Sequence, residues 1–299
     1  LSATMLDGTV ISCLANIGNQ EEAVLAMSNG CDGVGLFRTE FMFLESTAAP
    51  TEEEQFTQYS AINRTLEDKN FVVRTLDVGG DKKIPYITQI HEENPMLGVR
   101  GIRLCLANRE LFKTQLRAIL RTKALNIKIM LPMISKLTEF RVAKQILEEI
   151  KDELAIETKI KLGIMVEVPS VAFMSEIFAQ EVDFMSIGTN DLTQMSFVFS
   201  RDDIGGFLPK YLDLGILPDD PFQTIDQEGV GELIKIGVER GRQTKPNLKV
   251  GICGEHGGDP ESVVFCHKIG MNYVSCSPFR VPIARLAAAQ AALLFPREK

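Results

Sequence analysis

Short apolar runs alternate along the chain with amphipathic stretches whose apolar residues recur at helical spacing. Eight of the apolar runs are predicted strands, near residues 10–14, 33–37, 71–76, 127–131, 162–166, 184–187, 250–252 and 273–275. Strands that alternate with helices indicate repeated βα units around a parallel sheet. Eight such units close naturally into a barrel, so we predict an α/β protein, a single-domain (β/α)8 TIM barrel over residues 1–299.

Two of the intervening stretches carry clear helix signals. Residues 52–68 open with glutamates after Thr51, and residues 138–154 place apolar side chains at three-and-four spacing between charges. Both are predicted to lie in the outer ring of helices. The alternative architecture is an open doubly wound sheet, but no GxGxxG motif follows an early strand to support dinucleotide binding.

Two segments, 79–108 and 200–229, are longer than ordinary βα loops and rich in Gly, Pro and Asp. Long segments of this kind within a compact domain are commonly functional, so we predict lids over a site rather than domain linkers.

The chain has 299 residues, of which 45% are hydrophobic, and this is enough to bury one full-sized core. Its formal net charge of -8 argues against binding along a nucleic-acid backbone, which requires an excess of Lys and Arg. No apolar run approaches the roughly 20 residues needed to span a bilayer, and the N-terminus lacks a secretory pattern. These features predict a soluble, cytoplasmic protein that binds neither nucleic acid nor membrane.

The cysteines include no CxxC pair, which predicts reduced thiols and neither a disulfide framework nor a zinc knuckle. There are six: Cys13, Cys31, Cys105, Cys253, Cys266 and Cys276. The chain begins at Leu1 rather than Met, which indicates a piece cut from a longer protein.

Polar side chains follow several of the predicted strands, on the face where parallel barrels build their active sites. Glu167 and Asp191 end consecutive strands, so both carboxylates can reach one Mg²⁺ that keeps several waters. An unpaired charge in the apolar run around Glu167 would be costly, which favours the metal. The alternative is that each carboxylate pairs with an arginine.

Three arginines, Arg38, Arg74 and Arg100, are predicted at the same rim. Their planar guanidinium groups suit the oxygens of phosphate and carboxylate, so they indicate a ligand with two anionic groups. The alternative is that each one is the salt-bridge partner of a nearby carboxylate, namely Glu40, Asp77 or Glu93.

Glycines and a thiol complete the predicted rim. Gly79, Gly80 and Gly188 would let backbone N–H groups approach a ligand closely. Cys253 ends a strand, where a thiol could deliver a proton into the site, although a buried inert cysteine is the alternative. The other five cysteines are predicted core.

The chain contains three histidines, His91, His256 and His267. His256 lies in the rim motif and could bond a ligand or a lid, whereas His267 lies in a helical stretch and is predicted to be structural. None follows the Ser-His or Thr-His pattern of a carrier histidine.

These motifs together resemble the phosphoenolpyruvate-utilising enzymes over nearly the whole chain. The stretches GVGLFRTEF (33–41), RTLDVGGDK (74–82) and NPMLGVR (94–100) are similar to enzyme I of the sugar phosphotransferase system. The stretches SRDDIGGFL (200–208), GICGEHGGD (251–259) and NYVSCSPFRVPIARLAAA (272–289) are similar to pyruvate, phosphate dikinase. The chain therefore combines features of both types, as a natural hybrid or a chimera.

The resemblance implies a role for each motif residue. The groups that would hold phosphoenolpyruvate are Arg38, Arg74, Asn190 and Arg201, with Arg100 beside them and with contacts from Thr189 and Gly188. Glu167 and Asp191 would hold Mg²⁺ next to the substrate, and Cys253 corresponds to the proton donor that forms pyruvate. The phosphoryl acceptor would be a histidine on a separate swivelling domain, which is absent here together with the second-substrate domains.

We therefore expect the chain to catalyse the phosphoenolpyruvate/pyruvate half-reaction with Mg²⁺, as a phosphotransferase domain incomplete for turnover by itself. Because family members pair through this barrel, a homodimer is also expected. Two alternatives are a lyase or aldolase acting on pyruvate enolates and a non-catalytic module that senses phosphoenolpyruvate and dimerises.

Overall fold

Eight parallel strands form a closed barrel in the computed structural model, which describes residues 11–79, 84, 86 and 91–297. The strands pair in sequence order around the barrel, and β8 closes onto β1. Their bounds are β1 Ser12–Ile17, β2 Gly33–Arg38, β3 Asn70–Arg74, β4 Ile127–Leu131, β5 Lys161–Val166, β6 Phe184–Ile187, β7 Lys249–Ile252 and β8 Tyr273–Cys276. The predicted TIM barrel is confirmed.

Each predicted strand overlaps an observed one, and the first departs most from its predicted bounds. It runs to Ile17 because Ala15, Asn16 and Ile17 pair with β2 in parallel register. The pairing partner, and not the local apolar pattern, therefore decides where this strand ends. Val10, the predicted first residue, lies outside the described residues.

Helices surround the barrel, and their first-turn residues explain where several begin. Thr51 accepts a hydrogen bond from the Glu54 N–H while the Glu54 carboxylate accepts from the Thr51 N–H, a capping box that starts the predicted helix at 52. The bounds are α1 Gln20–Ser28, α2 Glu40–Leu44, α3 Glu52–Leu66, α4 Ile102–Ala107, α5 Arg109–Arg121, α6 Leu137–Glu153, α7 Pro169–Phe173, α8 Ser175–Ala179, α9 Thr189–Phe197, α10 Leu208–Asp213, α11 Val230–Thr244, α12 Pro260–Lys268 and α13 Val281–Leu294.

The core has two layers because successive strand residues face opposite sides of the barrel wall. The larger layer lies between the strands and the helices. The smaller one contains Leu36, Val72, Met130, Met165, Phe184 and Cys253, side chains that fill the barrel interior. Cys253 is thus an interior residue. The other five cysteines are buried in the outer layer, which confirms the prediction that they belong to the core. All six are free thiols.

Parts of the two long segments are folded. The first holds a 3-10 turn at Pro95–Leu97 and helix α4, and the second holds a 3-10 turn at Ile204–Gly206 and helix α10. An aromatic cluster of Phe197, Phe199, Phe207 and Tyr211 packs the second segment onto the end of α9. Within the described part of the chain, no helix has the length and apolar character needed to cross a membrane.

Candidate functional site

A cavity of about 310 Å³ opens at the carboxyl ends of the strands. Eight of the ten residues predicted for the site line it: Arg38, Arg74, Arg100, Gly188, Asn190, Asp191, Arg201 and Cys253. The barrel explains this convergence, because residues at the ends of parallel strands meet at one rim. Arg38 and Arg74 are the last residues of β2 and β3, and Asn190 and Asp191 lie in the first turn of α9.

The arginines are held by carboxylates rather than by solvent. Arg74 pairs with Glu40 and lies 2.9 Å from Asp77 between Nη1 and Oδ2. Arg38 Nη2 lies 3.1 Å from Glu255 Oε1. The salt-bridge alternative is therefore observed for Glu40 and Asp77, but not for Glu93, which lies beside His91. Pairing does not remove the arginines from the site, since all three still line the cavity.

Arg100 bridges two carboxylates with bidentate geometry on each side. Its Nε and Nη2 atoms donate to Asp77 at 3.0 and 3.1 Å, and its Nη1 and Nη2 atoms donate to Asp191 at 2.7 and 3.1 Å. Burial lowers the pKa of Arg100, but the charges of Asp77 and Asp191 outweigh burial and hold this pKa above its ordinary value. Arg100 is therefore a fixed cation between the rims of β3 and β6.

Glu167 is fully buried directly after β5. Its Oε1 accepts a hydrogen bond of 2.5 Å from the Met133 N–H. Its Oε2 has no hydrogen-bond partner among the described residues. Burial and the charges of Asp191 and Asp77 raise the pKa of Glu167 to about 8. An orphaned carboxylate oxygen beside a second carboxylate is a place where a cation would be stabilised.

Gly188 leaves the space that Glu167 occupies. A Cβ atom at this position would lie 2.5 Å from Glu167 Oε2, closer than side-chain carbons approach their neighbours. The predicted role of Gly188 was close approach to a ligand, and the structure adds close approach to a carboxylate. Gly79 also lines the cavity, with a φ of 151° in the region that favours glycine, whereas Gly80 lies outside the described residues.

The Cys253 thiol lies in the barrel interior and lines the cavity. It donates weakly to the Ile187 carbonyl oxygen, with Sγ 3.7 Å away. Burial, opposed only in part by the charges of Arg74 and Arg38, raises the pKa of Cys253 to about 11. The thiol therefore keeps its proton at neutral pH, as a proton donor requires.

Two predicted residues, Glu167 and Thr189, do not line the cavity. Thr189 is fully buried, and its hydroxyl meets Nδ1 of His256 at 2.7 Å. Among the described residues, no group of three or more His, Cys, Asp or Glu side chains is arranged to hold a metal ion. A cation here would be held by the two carboxylates of Glu167 and Asp191 together with non-protein ligands.

Two residues that contribute to the site were not predicted from the sequence. Met133 is a non-glycine residue with a left-handed φ of 56°, and it presents its N–H to Glu167. Glu255 pairs with Arg38 across 217 positions of sequence. Glu255 lies in the rim motif 251–259, which was a usable signal, but nothing in the local sequence marks the conformation of Met133.

Comparisons with known proteins find relatives over nearly the whole chain. Residues 1–293 match the family model described as PEP-utilising enzyme, PEP-binding domain. A pyruvate, phosphate dikinase from Clostridium symbiosum is 40% identical over 93% of this chain and 38% of that protein. Pyruvate, phosphate dikinase 2 from Zea mays is 39% identical over 94% of this chain and 38% of that protein. The chain thus spans about two fifths of the length of these relatives.

A solved structure of a citrate lyase from Burkholderia xenovorans also superposes, with a TM-score of 0.55 and 14% identity over 97% of this chain and 80% of that one. At this identity the likeness concerns the barrel fold alone.

Proposed function

The chain belongs to the PEP-utilising enzymes, as their PEP-binding domain, and from this premise we propose that it performs the phosphoenolpyruvate/pyruvate half-reaction of a dikinase-type phosphotransferase. The observation that carries the proposal is one cavity lined by arginines, with a protonated interior thiol on its wall and an orphaned carboxylate oxygen behind it. The dikinase type is favoured over enzyme I because two pyruvate, phosphate dikinases are 40% and 39% identical in sequence to this chain over nearly its whole length.

Arginines would bind the phosphate and carboxylate of phosphoenolpyruvate. Arg38, Arg74 and Arg100 line the cavity and are each paired with a carboxylate. Oxygen atoms of the substrate would replace these carboxylates or share the guanidinium groups with them, so no charged group would have to move into water. Asn190 and Arg201, which also line the cavity, would add further contacts. Fixed cations that need little reorganisation are the arrangement that stabilises charge developing during phosphoryl transfer.

Glu167 and Asp191 would hold Mg²⁺, because Oε2 of Glu167 lacks a partner among the described residues and two carboxylates suit a hard cation that keeps waters. When bound, Mg²⁺ would neutralise negative charge on the substrate oxygens. Gly188 would keep Glu167 in place, and Met133 would orient its other oxygen.

Cys253 would move the proton. As the bond between phosphorus and the enol oxygen of phosphoenolpyruvate breaks, the phosphoryl group is transferred to a histidine nitrogen. The electron pair of the broken bond stays on the oxygen, which gives the enolate of pyruvate. The methylene carbon then takes the proton of the Cys253 thiol, which gives pyruvate and a thiolate. A thiol pKa of about 11 favours return of a proton to this thiolate, so the resting donor is regenerated.

The histidine that accepts the phosphoryl group would lie on a separate domain, and the second substrate would bind to a further domain, in a cytoplasmic protein. We also place a homodimer contact on α13, whose outward face is apolar. Ile283, Leu286, Leu293 and Leu294 are each at least half exposed on that face. Sedimentation velocity of the chain and of Leu286→Glu tests the contact, with loss of the dimer expected only in the variant.

Calorimetry tests the central proposal. Phosphoenolpyruvate should bind the chain in the presence of Mg²⁺, and Arg74→Ala should weaken binding about 100-fold because it removes hydrogen bonds to a charged ligand. Arg117→Ala is the matched control, since Arg117 pairs with Glu153 away from the cavity. If the affinity were unchanged both by the removal of Mg²⁺ and by Arg74→Ala, the assignment of this cavity as the phosphoenolpyruvate site would be wrong.

A second experiment concerns the acceptor. Pyruvate release on adding a separately produced phosphohistidine domain identifies the acceptor type, whereas retro-aldol turnover by the chain alone would favour the lyase.

A further inference from the structure

His256 is a fully buried histidine that the half-reaction proposed above does not use. Its ring bonds on both sides: Nδ1 lies 2.7 Å from Thr189 Oγ1, and Nε2 lies 2.9 Å from the Pro221 carbonyl oxygen. A carbonyl oxygen only accepts, so Nε2 carries the proton and donates to Pro221. Nδ1 therefore accepts from the Thr189 hydroxyl, and both ring nitrogens of an uncharged imidazole are satisfied.

The ring joins three segments that each carry part of the site. Thr189 begins α9 and directly precedes Asn190 and Asp191. Pro221 belongs to the 200–229 segment, which contributes Arg201 to the cavity wall. His256 itself follows the strand that ends next to Cys253. One side chain therefore links the rims of β6 and β7 and the second long segment.

Close packing around the ring supports the same junction. A Cβ atom at Gly254 would lie 1.8 Å from Thr189 Oγ1, so only glycine lets the rim of β7 approach α9 this closely. The Glu255 N–H donates to Asn190 Oδ1 at 3.3 Å, a second contact between the same two rims. The start of α9 is thus positioned by the residues on both sides of the ring.

The surroundings also keep the ring uncharged. Burial lowers the pKa of His256, although the Pro221 carbonyl and the carboxylates of Asp259 and Glu255 oppose that effect. Arg201 acts in the same direction as burial. A neutral ring preserves the acceptor at Nδ1, which a protonated ring would lose.

We propose that His256 is a positioning residue that fixes the start of α9 and the Pro221 turn, and thereby sets Asn190 and Asp191 for ligand binding. The inference rests on the proposed function, since its ligand is phosphoenolpyruvate with Mg²⁺. His256 lies outside the cavity lining, so it acts through Thr189 and not by touching substrate.

The affinity of the chain for phosphoenolpyruvate with Mg²⁺, measured by calorimetry, tests this role. His256→Leu should weaken binding about tenfold, the effect of losing one oriented hydrogen bond. His256→Asn, whose amide oxygen can still accept from Thr189, should restore most of the affinity. Thr189→Val should reproduce the loss, and His256→Leu with Thr189→Val should be no weaker than His256→Leu alone, because both break the same contact.

His267→Leu is the matched control, because His267 is also fully buried, its Nε2 bonds the Phe295 carbonyl oxygen at 2.7 Å, and neither residue lines the cavity. It should lower the melting temperature without changing affinity. If His256→Leu behaves in the same way, with a lower melting temperature and the affinity of the unaltered chain, His256 only supports the fold and the proposal is overturned. If His256→Leu does not fold, Thr189→Val decides the question, because it leaves the ring in place.

Hydrogen exchange of the ligand-free chain separates this proposal from the proposed function. The amides of Phe222, Gln223 and Thr224 bond to Asp220 in the turn that His256 holds, and the Leu192 amide bonds to Gly188 in α9. His256→Leu should speed exchange at both places, and unchanged exchange contradicts the positioning role. An unaltered chain that binds no phosphoenolpyruvate refutes the proposed function alone, since the exchange result still stands.

Discussion

The positively charged side chains at the two ends of the barrel have different partners. At the carboxyl end, Arg38, Arg74 and Arg100 each lie within 3.1 Å of a carboxylate oxygen. At the amino end, Lys128, Lys161 and Lys249 lie at or near the starts of β4, β5 and β7, and none of them forms an ion pair with a carboxylate among the described residues. The pKa values differ accordingly. Carboxylates hold that of Arg100 above its ordinary value, whereas burial and the charges of Lys161 and Lys249 lower that of Lys128 to about 8.

This difference supports the binding role that we propose for the carboxyl end. Paired arginines keep their charge and their orientation, so an anionic ligand meets cations that are already in place. The three lysines repel one another, and the repulsion costs stability. Lys128 donates a hydrogen bond to Asn70 Oδ1, but among the described residues no carboxylate compensates its charge. Among the residues that the structure describes, fixed cations, a cavity, a protonated thiol and an orphaned carboxylate oxygen lie together at the carboxyl end.

The largest effect is expected from the interior thiol at the carboxyl end. Cys253→Ala should slow Mg²⁺-dependent exchange of the pyruvate methyl protons with D₂O by about 100-fold or more, because it removes the proposed proton donor. Proton NMR of pyruvate with the chain measures this rate. Cys266→Ala, which removes a buried thiol from the outer layer, should leave it unchanged. Equal exchange rates in Cys253→Ala and Cys266→Ala would show that Cys253 takes no part in the proton transfer.

A second substitution tests the carboxylate pair. Gly188→Ala should weaken Mn²⁺ binding, used as a probe for Mg²⁺, by about tenfold, because its Cβ would displace Glu167 Oε2. Electron paramagnetic resonance titration gives the affinity. Gly205→Ala is the control, since a Cβ there meets nothing within 4 Å. Normal Mn²⁺ affinity in Gly188→Ala would argue that Glu167 is no ligand.

A third prediction concerns the pairing of Arg100 with Asp191. Arg100→Met should bind Mn²⁺ several-fold more tightly in the absence of substrate, because Asp191 loses a bidentate cation that competes for its oxygens. The same variant should bind phosphoenolpyruvate more weakly. Arg38→Met, which frees only Glu255, should leave Mn²⁺ affinity unchanged. Weaker Mn²⁺ binding in Arg100→Met would mean that the pair stabilises the metal site rather than competing with it.

The smallest effect is expected at the amino end. Lys128→Met should raise the free energy of unfolding at pH 7 by about 1 kcal/mol, a value discounted for solvent screening. Because the pKa of Lys128 is lowered to about 8 in the folded chain, the unfolded chain binds more protons between pH 8 and the ordinary lysine pKa of 10.5. The penalty in the unaltered chain therefore shrinks as pH rises through this window. Urea unfolding at pH 7 and pH 9.5 should show the difference between the two chains narrowing, and a constant difference would contradict the repulsion.

The sequence could predict those features of the site that depend on a strand and its next few residues. Arg38, Arg74 and Cys253 follow apolar runs, and in a parallel barrel this local position already places them at the carboxyl end or its interior. Thr189 shows the limit of this reasoning. It lies beside Asn190 in sequence, yet its hydroxyl turns away from the cavity to His256, and only the packing of Gly254 against it explains why.

The sequence by itself therefore determined the eightfold alternation, the closed barrel and the rim on which the charged side chains gather, because periodicity and strand ends are local properties of the chain. Tertiary structure alone decided which residues form hydrogen bonds and ion pairs with one another at this rim. The bonds between Arg100 and Asp191 span 91 positions, that between Met133 and Glu167 spans 34, and that between His256 and Thr189 spans 67. Such pairs form because barrel closure brings the ends of distant strands together, and no local pattern specifies which charges will then meet.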